Sequence, residues 1–144
     1  MLDGGSVSDS LVGKFSHLFH NRAVSSVLAR AALTIPKAKK LKKMAVMAAS
    51  TDDGQSLLRV SRADWNAYGG TIIDVEQALS NAGNIDTQIA KLRTSDPDFL
   101  AVSEFSPGPG LVLKRAREFG MQQPIVGVEY TAEIAKVAGD FANG

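Results

Sequence analysis

Three short polar segments with the residue types of ligand-binding loops each follow an apolar run and precede a predicted helix. They are STDDG at 50–54, EFSPGPG at 104–110 and EYTAE at 129–133. In open α/β sheets, ligands bind at the carboxyl ends of the strands, where the N–H groups and dipole of the next helix favour carboxylates and phosphates. The same residue types are also common in ordinary caps and turns. The pattern alone leaves both interpretations open.

The motifs of known catalytic and nucleotide-binding loops are missing. The first segment has a single glycine, Gly54, and the chain has neither a G-x-G-x-x-G turn nor a Walker phosphate loop. Glu104 ends the third apolar run, where a phosphoacceptor receiver domain would need an aspartate. We interpret His17 and His20 as surface histidines, because no Ser/His/acid set and no G-x-S-x-G motif accompanies them. The absence of cysteine excludes thiolate chemistry. We predict no enzyme activity, no metal and no cofactor.

The composition is that of one ordinary globular domain of 144 residues, with 44% apolar and 22% charged residues. Because 16 basic residues face 15 acidic ones, no electrostatic case arises for a nucleic-acid partner. The basic run KAKKLKK at 37–43 is predicted to be a solvated loop. We expect no membrane span, since no apolar run approaches the ~20 residues required. The first residues lack a secretory signal pattern, so the chain as written is expected in the cytoplasm.

Strand and helix patterns alternate along the chain. The predicted strands are 44–49, 71–77, 99–105 and 124–130. The predicted helices are 24–35, ending at Pro36, then about 55–67, 85–94, 111–119 and 131–141. This alternation predicts an α/β three-layer sandwich of flavodoxin- or Rossmann-like type, with helices on both faces of a parallel sheet. We expect the strand order 2-1-3-4, a tail or arm at 1–18 and a single lobe at 19–144.

Four segments together resemble a known family. KKMAVMAASTDDGQSLL, WNAYGGTIIDVEQ, IDTQIAKLRTSDPDFLAVSEFSPGPGLVLKRAREFG and QPIVGVEYTAEIAKVAG follow the order seen in periplasmic binding proteins of the leucine/isoleucine/valine type. These are the solute receptors of branched-chain amino-acid ABC transporters. FHNRAVSSVLARAAL resembles the segment that enters their second lobe, so the resemblance covers about residues 19–144. It implies a type I periplasmic-binding-protein lobe, the second half of a two-lobed clamp that closes on a small solute. It also implies a periplasmic location.

The resemblance also implies which residues contact a ligand. Carried over by position from the strand exits of the family's second lobe, they are Ser50, Thr51, Phe105, Ser106, Glu129 and Tyr130. Glu129, in VGVEY, matches an acidic position that pairs with the ligand's amino group in amino-acid-binding members. The alternative for Glu129 is a solvent-facing loop carboxylate.

Two prolines and two glycines form an unusual junction, SPGPG, after the third predicted strand. Pro107 and Pro109 suit first-turn helix positions, where a fixed φ is tolerated and no ladder N–H is lost. Gly108 and Gly110 allow the backbone to approach a ligand or a neighbouring loop closely. We expect a rigid rim with few side chains.

The function predicted from these observations is non-catalytic binding of a small amino-acid-like solute, weak for a lone lobe. The expected partners are a second lobe or a transporter permease, and we also predict a homodimer in which residues before about Asn21 contribute to the interface. The alternative is a freestanding interaction module that forms a homodimer, with the apolar residues Leu11, Phe15, Leu18 and Phe19 reaching a second copy. A small α/β enzyme is the third possibility, and no catalytic set supports it.

Overall fold

The computed structural model describes residues 2–3, 8–79 and 81–143. Within these ranges the strands are β1 (Leu2–Asp3), β2 (Phe19–His20), β3 (Lys43–Ala49), β4 (Thr71–Ala78), β5 (Phe99–Ser103) and β6 (Ile125–Gly127). The helices are α1 (Ser25–Ala32), α2 (Thr34–Ala38), α3 (Asp52–Ala67), α4 (Asp86–Thr94), α5 (Gly108–Glu118) and α6 (Ala132–Ala138). Short 3-10 turns cover Asp9–Leu11 and Gly139–Asn143.

Four parallel strands form the central sheet in the order β4-β3-β5-β6. This is the predicted 2-1-3-4 order, and the prediction of a parallel α/β sheet is confirmed. β3 lies inside the sheet, and its residues from Met44 to Ala49 are at most 1% exposed. Such a continuous apolar run is expected for a parallel strand that is covered on both faces.

Side chains of successive strand residues lie on opposite faces of the sheet, so alternate residues pack in two different hydrophobic layers. On one face, Ala45, Met47, Leu100 and Val102 pack in one cluster with apolar residues of α4 and α5. On the other face, Met44, Val46, Phe99 and Ala101 pack in a second cluster that includes Leu58 and Trp65 of α3. The sheet therefore lies between two helical layers, as the three-layer prediction required. The Trp65 ring meets the Phe99 ring edge-on at 4.9 Å between centroids, so Trp65 packs in the core.

Some predicted boundaries were wrong. Pro36 does not end the first helix, because it is the third residue of α2, where an N–H group has no partner within the helix and its loss costs little. α3 begins three residues earlier than predicted, where the Thr51 side chain accepts a hydrogen bond from the Gly54 N–H at 3.3 Å. α5 also begins three residues early, at Gly108. The third and fourth central strands end at Ser103 and Gly127, so residues 104–105 and 128–130 lie in connections.

Part of the N-terminal arm is attached to the lobe. The Asp9 carboxylate accepts hydrogen bonds from the Ser26 N–H at 3.0 Å and from the Ser26 hydroxyl at 2.6 Å. Asp9 thus caps α1, whose own N-cap residue, Val24, makes no side-chain hydrogen bond. β1 pairs with β2 in parallel. Residues 1 and 4–7 of the predicted arm lie outside the described residues, and the division at residue 18 stays a prediction.

Candidate ligand-binding site

The carboxyl ends of β3, β5 and β6 meet at one edge of the sheet. Ala48 of β3 is the register partner of Ser103 of β5, and Val102 is the partner of Gly127 of β6. The connections that follow these strands contain all six residues predicted to contact a ligand. The topology therefore places them at the edge where open α/β sheets bind ligands.

Ser106 is the centre of a hydrogen-bonded group at this edge. Its backbone N–H donates to Oε1 of Glu129 at 2.6 Å, and its hydroxyl donates to Oε2 of Glu133 at 2.6 Å. The Thr131 hydroxyl lies 3.4 Å from the Ser106 hydroxyl and caps α6 by accepting from the Ile134 N–H. The connection after β5 is thereby tied to the connection after β6. Among the six predicted residues, the structure joins Ser106 to Glu129 directly.

Phe105 and Tyr130 flank the Ser106 group in sequence. The Phe105 side chain is half-buried, and the guanidinium carbon of Arg22 lies 5.4 Å from the centre of its ring. This is a cation–π distance. Tyr130 is 66% exposed, so most of its ring faces solvent. An aromatic side chain this open at a rim is available for contact with a ligand.

Ser50 and Thr51 have structural roles in the connection after β3. The Ser50 N–H and hydroxyl both donate to the carbonyl of Ala78 at the end of β4, at 2.9 and 3.3 Å. Thr51 is the N-cap of α3. Within the described ranges neither residue forms a hydrogen bond to Ser106 or Glu129. The structure thus links Ser106 to Glu129 and leaves Ser50 and Thr51 separate from them.

Glu104 is the most unusual polar residue at this edge. Its side chain is only 2% exposed, and its Oε1 makes no hydrogen bond to any described residue. Burial raises the pKa of the Glu104 carboxyl to about 7, because removal from water disfavours the ionised form. Period-two alternation from Leu100 and Val102 places Glu104 on the face covered by α4 and α5.

The SPGPG junction explains how Glu104 fits beneath α5. A Cβ atom at Gly108 would overlap Oε2 of Glu104, so only glycine leaves room for this carboxyl. A Cβ atom at Gly110 would lie 2.6 Å from the Ile134 carbonyl oxygen of α6. The glycines are therefore close-approach positions, as predicted, and what approaches them is Glu104 and α6. Pro109 is in the first turn of α5, and Pro107 is the N-cap residue.

Sequence reasoning did not select three residues of this site: Arg22, Glu104 and Glu133. A period-two count along the third strand could have identified Glu104 as inward-facing, because it continues the series of Leu100 and Val102. Glu133 lies in the first turn of α6, two residues after the Thr131 cap, where an acidic residue is ordinary, so its contact with Ser106 gave no separate signal. Arg22 gave no local signal, since its contact with Phe105 joins residues far apart in sequence.

The described part of the chain has no group of three or more His, Asp or Glu side chains placed to hold a metal ion. Among its helices, none combines the length and the apolar character needed to cross a bilayer.

Solved structures share this fold at low sequence identity. A periplasmic binding protein from Burkholderia mallei superimposes with a TM-score of 0.87 at 15% identity, covering 96% of this chain and 38% of that protein. A leucine binding protein from Thermotoga maritima gives 0.84 at 16% identity, covering 98% of this chain and 41% of that one. An extracellular ligand-binding receptor from Rhodopseudomonas palustris gives 0.83 at 18%, covering 88% and 36%. The chain thus spans roughly two fifths of the length of these proteins.

A comparison with curated proteins finds no match. The periplasmic binding protein family matches residues 5–144, which confirms the resemblance inferred from the sequence and extends it beyond residue 19 towards the N-terminus. Proteins of this family are solute receptors and not enzymes. The family match over nearly the whole length, on a fold shared with solved receptors, shows that this chain belongs to the periplasmic binding protein family.

Proposed function

We propose that this chain supplies one half of a non-catalytic binding site for a small amino-acid-like solute. The observation that carries the proposal is the placement of Glu129. This half-buried carboxylate follows β6, and its Oε1 is held by the Ser106 N–H at 2.6 Å. Its Oε2 accepts no hydrogen bond from the described residues, so it is available to a ligand ammonium group. A charge-assisted hydrogen bond of this type is about twice as strong as a neutral one.

The geometry also predicts weak binding. Small-molecule sites usually bury most of the ligand surface, whereas one edge of one lobe covers a single side. We expect the isolated chain to bind free amino acids with a Kd of about 1 mM or weaker, equivalent to about −4 kcal/mol. In a transporter, the expected partners are a second lobe and a permease. The family is typically periplasmic, and we propose the same location for a receptor that contains this lobe.

Nuclear magnetic resonance titration suits affinities in this range. We expect L-leucine, L-isoleucine or L-valine to shift the amide signals of Ser106 and Glu129. Glu129→Gln removes the negative charge, and it should weaken binding of the amino acids about tenfold or more. It should change the binding of 4-methylpentanoate, which is leucine without its amino group, much less. Glu118→Gln is the matched control, since it removes one carboxylate near the far end of α5.

Two results would contradict the proposal. Micromolar affinity of a monomeric chain for a free amino acid would show that the site is not a half-site. An equal loss of affinity for leucine and 4-methylpentanoate in Glu129→Gln would show that Glu129 does not recognise the amino group.

A second candidate function, a homodimeric interaction module, is favoured by exposed apolar side chains of the arm and of β2. Val12, Phe15 and Phe19 are 55%, 57% and 62% exposed. Large apolar side chains grouped on a surface are typical of contact sites. Light scattering of the intact chain and of a Phe15→Ser/Phe19→Ser variant tests this, because the variant keeps the Asp9 cap of α1. An intact chain that stays monomeric at high micromolar concentration excludes the module, and a variant that still dimerises excludes the arm as its interface.

A further inference from the structure

The start of α5 lacks the hydrogen-bond donors that a helix N-terminus normally offers. Such a terminus usually presents free N–H groups to an anion. Here Pro107 and Pro109 have no N–H group. The Gly108 N–H donates to the Phe105 carbonyl at 3.1 Å, and the Gly110 N–H donates to the Pro107 carbonyl at 3.0 Å. The alternating prolines and glycines therefore leave no N–H group of residues 107–110 free for a carboxylate.

Glu104 lies directly beneath this donor-poor turn. Its Oε2 occupies the place that a Cβ atom of Gly108 would take, and its Oε1 is unpaired among the described residues. A buried carboxylate without donors is costly, whereas a neutral carboxylic acid costs far less. The raised pKa of about 7 is consistent with this geometry.

Glu104 is also joined to the candidate site through the chain. The next two residues are Phe105, under Arg22, and Ser106, bonded to Glu129 and Glu133. Because Phe105 and Ser106 follow Glu104 directly, a displacement of the Glu104 backbone moves both of them. Between Gly108 and Lys114, α5 carries no charged side chain. Four acidic residues lie in the connection after β6 or in the first turns of α3 and α6, namely Asp52, Asp53, Glu129 and Glu133, and the Arg22 guanidinium lies against Phe105.

We propose that Glu104 is a positioning residue for the candidate site: as a neutral acid it packs under α5 and holds Ser106 against Glu129, and its ionisation moves Ser106 away. Burial under α5, with no hydrogen-bond donor to Oε1 among the described residues, disfavours the ionised form of Glu104. The consequence for ligand binding rests on the proposed function, but the movement of the 105–110 segment does not.

The test follows ligand-free protein through a pH titration by nuclear magnetic resonance. The Glu104 carboxyl carbon reports ionisation directly, and the amides of Ser106 and Gly108 report the backbone. We expect all three signals to change together with a midpoint at about pH 7. Glu104→Gln should abolish the change of both amide signals near pH 7. Glu129→Gln, which removes the carboxylate that accepts from the Ser106 N–H, should leave the midpoint of Glu104 near 7.

A second variant keeps the test decisive if Glu104→Gln does not fold. Pro109→Ala restores an N–H group to the first turn of α5, and it should lower the midpoint of the Glu104 carboxyl towards 4.5. The proposal is overturned if the wild-type Glu104 carboxyl titrates near 4.5, if the amides do not move with it, or if the amides of Glu104→Gln still change near pH 7.

The pH dependence of ligand affinity is a second, separate test of the role of Glu104. With L-leucine, wild-type affinity should fall about threefold to tenfold from about pH 6 to pH 8.5, and the affinity of Glu104→Gln should not. If no amino acid binds at any pH, the proposed function fails while the ligand-free titration still decides the role of Glu104. If leucine binds with the same pH dependence in both proteins, the positioning role is excluded.

Discussion

Replacing Glu104 by glutamine should change how the stability of the chain depends on pH. Glutamine has nearly the same volume as protonated glutamate and cannot ionise. In the folded wild-type protein, burial raises the pKa of Glu104 from 4.5 to about 7. Below pH 4.5 the carboxyl is neutral in both the folded and the unfolded chain, so it adds no pH dependence there. Between 4.5 and 7 the unfolded chain loses this proton and the folded chain keeps it, which favours unfolding as the pH rises.

The size of the effect follows from the difference between the two pKa values. Each pH unit between them lowers the free energy of unfolding by about 1.4 kcal/mol. From 4.5 to about 7 the total loss is about 3 kcal/mol at most. Above pH 7 both states are ionised, and the contribution becomes constant. Domains typically have a free energy of unfolding of about 5–15 kcal/mol, so a loss of this size is a substantial part of the total.

Urea unfolding followed by circular dichroism, at several pH values from about 4.5 to 8.5, measures this difference. The stabilities of wild type and Glu104→Gln should be similar at the acidic end. The variant should exceed wild type by about 3 kcal/mol at the alkaline end. Glu118→Gln, a change at a surface ion pair with Arg115, should keep the wild-type pH dependence between these limits. Parallel curves for wild type and Glu104→Gln would refute the burial argument.

Two further predictions concern the scaffold that presents the site. Asp98→Asn should destabilise the fold by about 1–3 kcal/mol in urea unfolding, because the carboxylate accepts from the Lys42 and Lys43 N–H groups at 2.7 and 2.8 Å. These two hydrogen bonds lower the pKa of Asp98 below 3.8. The Asp98 carboxylate should therefore stabilise the fold above that pH, and this stabilisation should be lost as the pH falls through the lowered pKa. If wild type and Asp98→Asn lose stability identically on acidification, this prediction is contradicted. Gly110→Ala should lower the thermal midpoint by several degrees, equivalent to about 1–3 kcal/mol, since the added methyl meets α6 at 2.6 Å. Gly83→Ala, where a methyl group meets nothing within 4 Å, is the control, and equal midpoints for the two variants would count against the packing argument.

The core and the order of the central strands follow closely from local sequence patterns. Apolar runs such as that of β3 alternate with helices along the chain. Few sheet topologies are compatible with this alternation, because crossovers between parallel strands are right-handed and short. The sequence therefore predicted a parallel sheet between two helical layers. Helix starts were predicted less well. Those of α3 and α5 depend on cap geometry and on proline in the first turn, where local propensity is a weak guide.

Only the tertiary structure decided how the candidate site is assembled. The sequence placed Ser106 and Glu129 at strand exits, but their hydrogen bond joins residues 23 positions apart and requires β5 and β6 to be neighbours in register. The burial of Glu104 likewise depends on α5 closing over the strand end at Gly108. Residue types and spacing determine which side chains reach one edge of the sheet. The packing of one helix determines whether a carboxyl there meets water or is enclosed, because solvation and hydrogen bonding act over a few ångströms in space and not along the chain.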